Sequence, residues 1–237
     1  MPPQLRPLRT PAPMTDCSFI GLDLTSSPKK PSACIGLDIH LDLAFTGYLG
    51  TNADLAGFFM SQSPCIIAID APLTLPKGLC CLEESCGCQP KHGSVRECER
   101  RLASLGIPCY FTNKKSIIKS MAYRGIQLKR ELENRGREVV EVYPYASKVR
   151  LWGTPIPMKS GPEGLAFLRK HLADLIPSLS PYILDFSHHL CDATVAAYTA
   201  YLYHIKEAEQ IGNPTEGTIV IPRGILPHPE REIMHGT

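Results

Sequence analysis

No stretch of this 237-residue chain approaches the roughly 20 consecutive apolar residues that cross a bilayer, so nothing in it reads as a membrane span and no membrane partner is expected. The opening lacks the apolar core of a secretion signal. Residues 1–16 are rich in proline and carry Arg6 and Arg9; we read them as a disordered leader, or as an over-called start with Met14 as the first residue, and place the protein in the cytoplasm. A net charge of +2 is close to none, so the overall charge selects no partner. The chain also lacks an internal repeat, a glycine-rich phosphate loop and the paired Cys-x-x-Cys of common zinc ribbons. Nothing in the pattern selects an oligomeric state.

What is present suits one domain of ordinary core content, 43% hydrophobic. Two short apolar runs, Phe19-Ile20-Gly21-Leu22-Asp23 and Cys65-Ile66-Ile67-Ala68-Ile69-Asp70, read as strands buried on both faces, and each ends in an aspartate. Residues 17–25, 32–38 and 43–49 are predicted as three strands, the last two joined antiparallel. Asn52 caps a predicted helix to about Met60, and residues 65–70 form a fourth strand reached by a parallel crossover. Residues 72–137 are an insertion with a cysteine-rich loop and a helix at about 94–105. Residues 138–143 alternate as a fifth strand, and 163–175 are helical. A long helix at 188–208 has Ser187 as its N-cap. Beyond Gly212 the chain reads as irregular. The plan is an α/β fold with a mixed sheet over 17–222 and a tail at 223–237.

Burying two carboxylates side by side is costly without a cation, so Asp23 and Asp70 on neighbouring strands suggest a divalent-metal site. Each alone is equally an Asx-turn residue. A third acid, Asp192, lies near the start of the long helix among Ala193, Val195 and Ala196. His188 and His189 precede it by four and three residues and share its face. Glu141 is a fourth acid in an apolar strand, either outward-facing or at the site.

Ten cysteines are many for this length. Cys17, Cys34, Cys65 and Cys191 sit in apolar segments as small core residues. Cys80, Cys81, Cys86 and Cys88, with His92 and Cys98 nearby, offer thiolates for zinc, for an iron–sulfur cluster, or for no ligand at all. Between residues 113 and 137 eight basic side chains face two acids. That run, including Lys114 and Lys115, fits either a phosphate backbone or a solvated helix face. Arg96 and Arg100 are candidate phosphate contacts or solvent-facing helix residues.

Five blocks carry a family resemblance: Gly21-Leu22-Asp23-Leu24; the run from Ile67 through Asp70-Ala71-Pro72 to Pro76; Arg96-Glu97-Cys98-Glu99-Arg100 with Gly106-Ile107-Pro108; Glu141-Val142-Tyr143-Pro144; and the run from His189 through Asp192 to Ala200. In this order they resemble the domain of unknown function 429 family, a group of predicted nucleases with an RNase H-like fold. The resemblance implies a five-stranded sheet in the order 3-2-1-4-5 with strand 2 antiparallel. It also implies that Asp23, Asp70 and Asp192 converge on two Mg²⁺ or Mn²⁺ ions to cleave nucleic acid. In such a mechanism His188 or His189 would shuttle protons or orient Asp192. Two other readings stand beside it: an RNase H-like nucleic-acid-binding or regulatory protein without turnover, and an ATP-using enzyme of the actin-like kinase type.

Overall fold

Strand-forming apolar runs and helical apolar faces alternate along the chain, and the computed structural model of the protein follows them closely. It describes residues 17–63, 65–91, 93–158 and 161–224. The first half runs β1 (Phe19–Asp23), β2 (Ser32–Leu37), β3 (Leu43–Leu49), α1 (Asn52–Ser61) and β4 (Ile66–Asp70). Then come α2 (Glu97–Ser104), α3 (Lys119–Glu133), β5 (Glu138–Val142), α4 (Pro144–Trp152) and α5 (Pro162–Leu175). The described chain closes with α6 (His188–His204), β6 (Ala208–Asn213) and β7 (Gly217–Pro222). The leader (1–16), His92 and all but the first two residues of the tail lie outside the described residues.

The seven strands among the described residues form one mixed sheet in the order β3-β2-β1-β4-β5-β7-β6. β2 runs antiparallel to β1, whereas β4 and β5 run parallel to it. The first five strands therefore stand in the expected 3-2-1-4-5 order, but the sheet has seven strands and not five. The region expected to be irregular past Gly212 instead completes the β6–β7 hairpin. β7 meets β5 at a single register pair, Val142 with Val220. Away from that pair the two strands splay, and a cavity of about 340 Å³ opens between them, lined by Val140, Glu141, Gly217 and Thr218 among others.

The sheet is covered on both sides, which explains why its central strands β1 and β4 are apolar at every position before their terminal aspartates. On one side Ile20, Leu22, Ile67 and Ile69 pack with Leu55, Phe59, Leu128 and Leu132 of α1 and α3. On the other, Phe19, Ala68 and Val140 pack with Ala196 and Ala200 of α6. Each large aliphatic side chain so buried contributes about 1.5–3 kcal/mol. α6 rests directly on β1, and Gly21 is what allows it: a Cβ there would lie 1.9 Å from the carbonyl oxygen of Ala193 and 2.5 Å from the amide of Ala197. The helix caps are local. Thr51 and Asp54 form a reciprocal capping box on α1, and Ser187 accepts from the amide of Leu190 at the start of α6. Among the described residues no helix is long and apolar enough to cross a membrane.

Candidate functional site

β1 and β4 are adjacent and parallel, and their register pairs Asp23 with Asp70. Both strands thus deliver a carboxylate to the same point, at the carboxyl ends where open α/β sheets bind ligands. Both aspartates are half-buried, unlike the fully enclosed residues before them. The first turn of α6 reaches this point: His189 Nδ1 lies 2.6 Å from Asp23 Oδ2. An Nδ1–H donated to the carboxylate sets the tautomer with a basic Nε2. His188 stacks beside His189, ring centroids 4.1 Å apart. The start of α6 is further tied to the sheet by Tyr48, whose hydroxyl is 2.6 Å from Ser187 Oγ.

Asp192 sits one turn deeper, and its carboxylate is buried against a lysine that the sequence did not single out. Lys148 Nζ of α4 donates to Asp192 Oδ1 at 2.8 Å, with both side chains almost wholly enclosed. Among the described residues, the one group of three or more metal-ligand side chains close enough to share an ion is Cys80, Cys81, Cys86 and Cys88. The three aspartates do not form such a group. A signal for Lys148 was available: α4 reads Pro-Tyr-Ala-Ser-Lys-Val-Arg-Leu-Trp, and a cation between Ser147 and Val149 on a helix that buries Ala146 needs a partner. Arg150 two residues on is likewise buried and pairs with Glu209.

Glu141 points inward. Arg96 grips it with two parallel bonds, Nη1 to Oε2 and Nη2 to Oε1, each 2.7 Å, and the amide of Leu73 donates to Oε2 at 2.8 Å. Arg96 Nε meets Glu99 Oε1 at 2.9 Å, and Glu99 also accepts from the amide of Thr112 at 3.0 Å. Arg96 is therefore corrected from a phosphate contact to a structural one. It is 1% exposed, because it occupies the N-cap of α2, where the chain turns into the core, and two carboxylates enclose its fork. Burial opposes its charge, but the Glu141 carboxylate more than offsets this and holds the guanidinium protonated well above its ordinary range. Asp70, Arg96, Glu141 and Tyr143 line a small cavity of about 60 Å³. Burial pushes the Tyr143 phenol up, and the charge of Asp70 adds to the effect.

The basic run is largely absorbed by the protein itself. Arg124 is buried and donates to Thr25, Asn52 and the Gly50 carbonyl. Arg135 pairs with Glu131 at 2.7 Å, Lys129 pairs with Glu133, and Arg137 donates to the carbonyls of Met60 and Gln62. Lys114 donates to the Cys86 carbonyl. Arg100 and Lys115 are exposed, as a phosphate contact requires. Cys98 is corrected too. It lies fully buried with Leu102, Ile107 and Ile219, outside the group formed by Cys80, Cys81, Cys86 and Cys88, and burial pushes its thiol up to about 12. It faces inward because α2 places it one position after its N-terminal residue, next to buried Glu99. Backbone hydrogen bonds at Cys80 and Cys81 draw the Cys88 thiol down to about 6.

A mixed seven-stranded sheet covered by helices, with two acids meeting at adjacent strand ends and a histidine on one of them, defines an α/β protein with a polar centre at the sheet's carboxyl edge. A family model described as "Protein of unknown function (DUF429)" matches residues 38–217, which is most of the chain. The protein belongs to that family. The match spans Asp70, Glu141 and Asp192, while Asp23 lies ahead of it. No curated protein matches the chain.

Proposed function

We propose that this protein is a divalent-metal-dependent phosphodiester hydrolase of the RNase H-like kind, acting on nucleic acid, with Asp23 and Asp70 as the carboxylates that would hold the cation. The observation that carries this reading is the in-register pairing of the two aspartates at the carboxyl ends of β1 and β4. The order β3-β2-β1-β4-β5, with only β2 antiparallel among the five, supports it. The donor set fits a hard cation, since carboxylate oxygens suit Mg²⁺ or Mn²⁺. Such an ion supplies an acidified water and charge stabilisation of the leaving oxygen. Lys148 already provides the positive charge beside Asp192; we therefore propose one ion at Asp23 and Asp70 in place of the expected two. His189 orients Asp23 and, through Nε2, exchanges a proton with solvent or substrate. The positive end of the α6 dipole favours an anion nearby.

One observation favours a second reading, a family member that binds nucleic acid without turnover: the buried Lys148–Asp192 pair leaves the three acids short of a shared ligand set. Cleavage of end-labelled single- and double-stranded RNA and DNA, with Mg²⁺, Mn²⁺ or chelator, separates the two. Metal-dependent cleavage is expected. Asp23→Asn and Asp70→Asn should each remove several kcal/mol of transition-state stabilisation, on the order of 10³-fold in rate. Asp70→Asn protein that cleaves at the parent rate would overturn the metal reading, and binding with no cleavage by the parent would establish the second.

A further inference from the structure

The segment between β4 and α2, residues 71–96, contains no helix or strand among its described residues, yet it holds a defined path. Few apolar side chains explain that path. Ala71 and Leu73 anchor its start and Val95 its end, but between them, over residues 77–91, Leu82 alone is buried and the rest of the described residues are exposed or half-exposed. A loop this long with so little core needs another restraint.

We propose that Cys80, Cys81, Cys86 and Cys88 form a structural site for a single zinc ion. Their four sulfurs lie within 4.8 Å of one another, and Cys80 Sγ is 3.6 Å from Cys86 Sγ. Four thiolates at the ~2.3 Å Zn–S distance sit roughly 3.8 Å apart at the corners of a tetrahedron. The observed spacing is that of ligands sharing one ion. An iron–sulfur cluster distributes its thiolates over several irons and holds them further apart. A disulfide would bring one pair into bonding contact and leave the other two unexplained. With four ligands supplied by the protein, the ion has no open position, as in structural zinc sites.

The surroundings fit a site carrying the excess negative charge of four thiolates on a divalent cation. Lys114 reaches across and donates to the Cys86 carbonyl, placing an ammonium beside the cluster. Around it the loop is tied to α3 and the segment before it. The Tyr123 hydroxyl accepts from the Leu82 amide at 2.6 Å and donates to Glu83 at 2.9 Å, and Lys119 lies 3.9 Å from Glu84. The zinc would therefore pin the loop that leads from Asp70 to Arg96. It is far simpler chemistry than the hydrolysis proposed above and is independent of it.

Metal analysis of the full-length protein purified under reducing conditions tests this. The expected result is about one zinc per chain, released together with about four reactive thiols on mercurial titration. After exchange, Co²⁺ should show the d–d envelope of a tetrahedral thiolate site. Cys86→Ser and Cys88→Ser should each lose the zinc, whereas Cys98→Ser should keep it, which guards against loss through misfolding. Stripping the zinc from the parent should speed tryptic cleavage at Lys77 and Lys91, both exposed, by about tenfold or more. Four freely titrating thiols without zinc, two disulfides, or iron with cluster absorption would each overturn the assignment.

Discussion

Arg96 and Glu141 show how much one buried pair can organise. The guanidinium is the meeting point of α2, β5 and the segment after β4: it holds Glu141 of the strand, Glu99 of its own helix and, at 3.2 Å, the Thr74 hydroxyl. Such a pair adds little over a well-packed apolar pair, but removing one partner strands the other charge in a dry interior. Arg96→Ala should therefore lower stability by about 3–5 kcal/mol in urea unfolding. Arg96→Lys should fail to restore it, because an ammonium cannot make the two parallel bonds to one carboxylate. Full recovery by lysine would show that charge alone matters. Asp192 and Lys148 follow the same logic, which is why an acid that looked like a metal ligand has a ready-made cation of its own.

At the level of elements, α6 packs directly on β1, and the contact depends on an absent side chain. Gly21→Ala would drive a methyl into the helix backbone rather than into a flexible side chain. We expect a loss of about 3 kcal/mol or more, beyond ordinary overpacking, read as a fall in melting temperature. Unchanged melting would mean that the helix can lift off the sheet at little cost. The strands β1 to β5 and the cap at Ser187 were legible in the sequence because buried strands and N-caps each leave a local signature. The β6–β7 hairpin was not, since Ala208–Asn213 carries only two buried apolar positions, and the apolar run of Gly217–Pro222 is bounded by a glycine and a proline that read as loop. α3 was obscured by its charges, although Ala122, Leu128 and Leu132 mark its inner face. Asp23 and Asp70 were found because both end central strands. The partners of Arg96 and Asp192 come from distant segments, and no local pattern reports a contact made across the fold.

For the molecule as a whole, the buried cysteines set a ceiling on alkaline stability. Cys17, Cys34 and Cys191 are spread over both sides of the sheet, and burial pushes each thiol up from 9.0 to about 12, with Cys65 at about 11. Below pH 9 they are neutral folded or unfolded and contribute no pH dependence. Above it the unfolded chain releases their protons while the folded chain retains them, so stability falls as pH rises from about 9 towards 12. The urea midpoint should drop between pH 8 and 10.5, and Cys34→Ala with Cys191→Ala should flatten the slope; a midpoint level over that range would contradict it. The seven-stranded order carries a different consequence, one of timing. β5 receives its outer neighbour only when β7 has been made, and residues 143–216 separate the two in the chain. At ~5–20 residues per second the ribosome takes several seconds to supply them. During that interval the nascent sheet ends in Glu138–Val142, a strand with a raw hydrogen-bonding edge. Its first residue is an exposed glutamate, a charge well placed to discourage pairing with a neighbouring chain until the hairpin arrives.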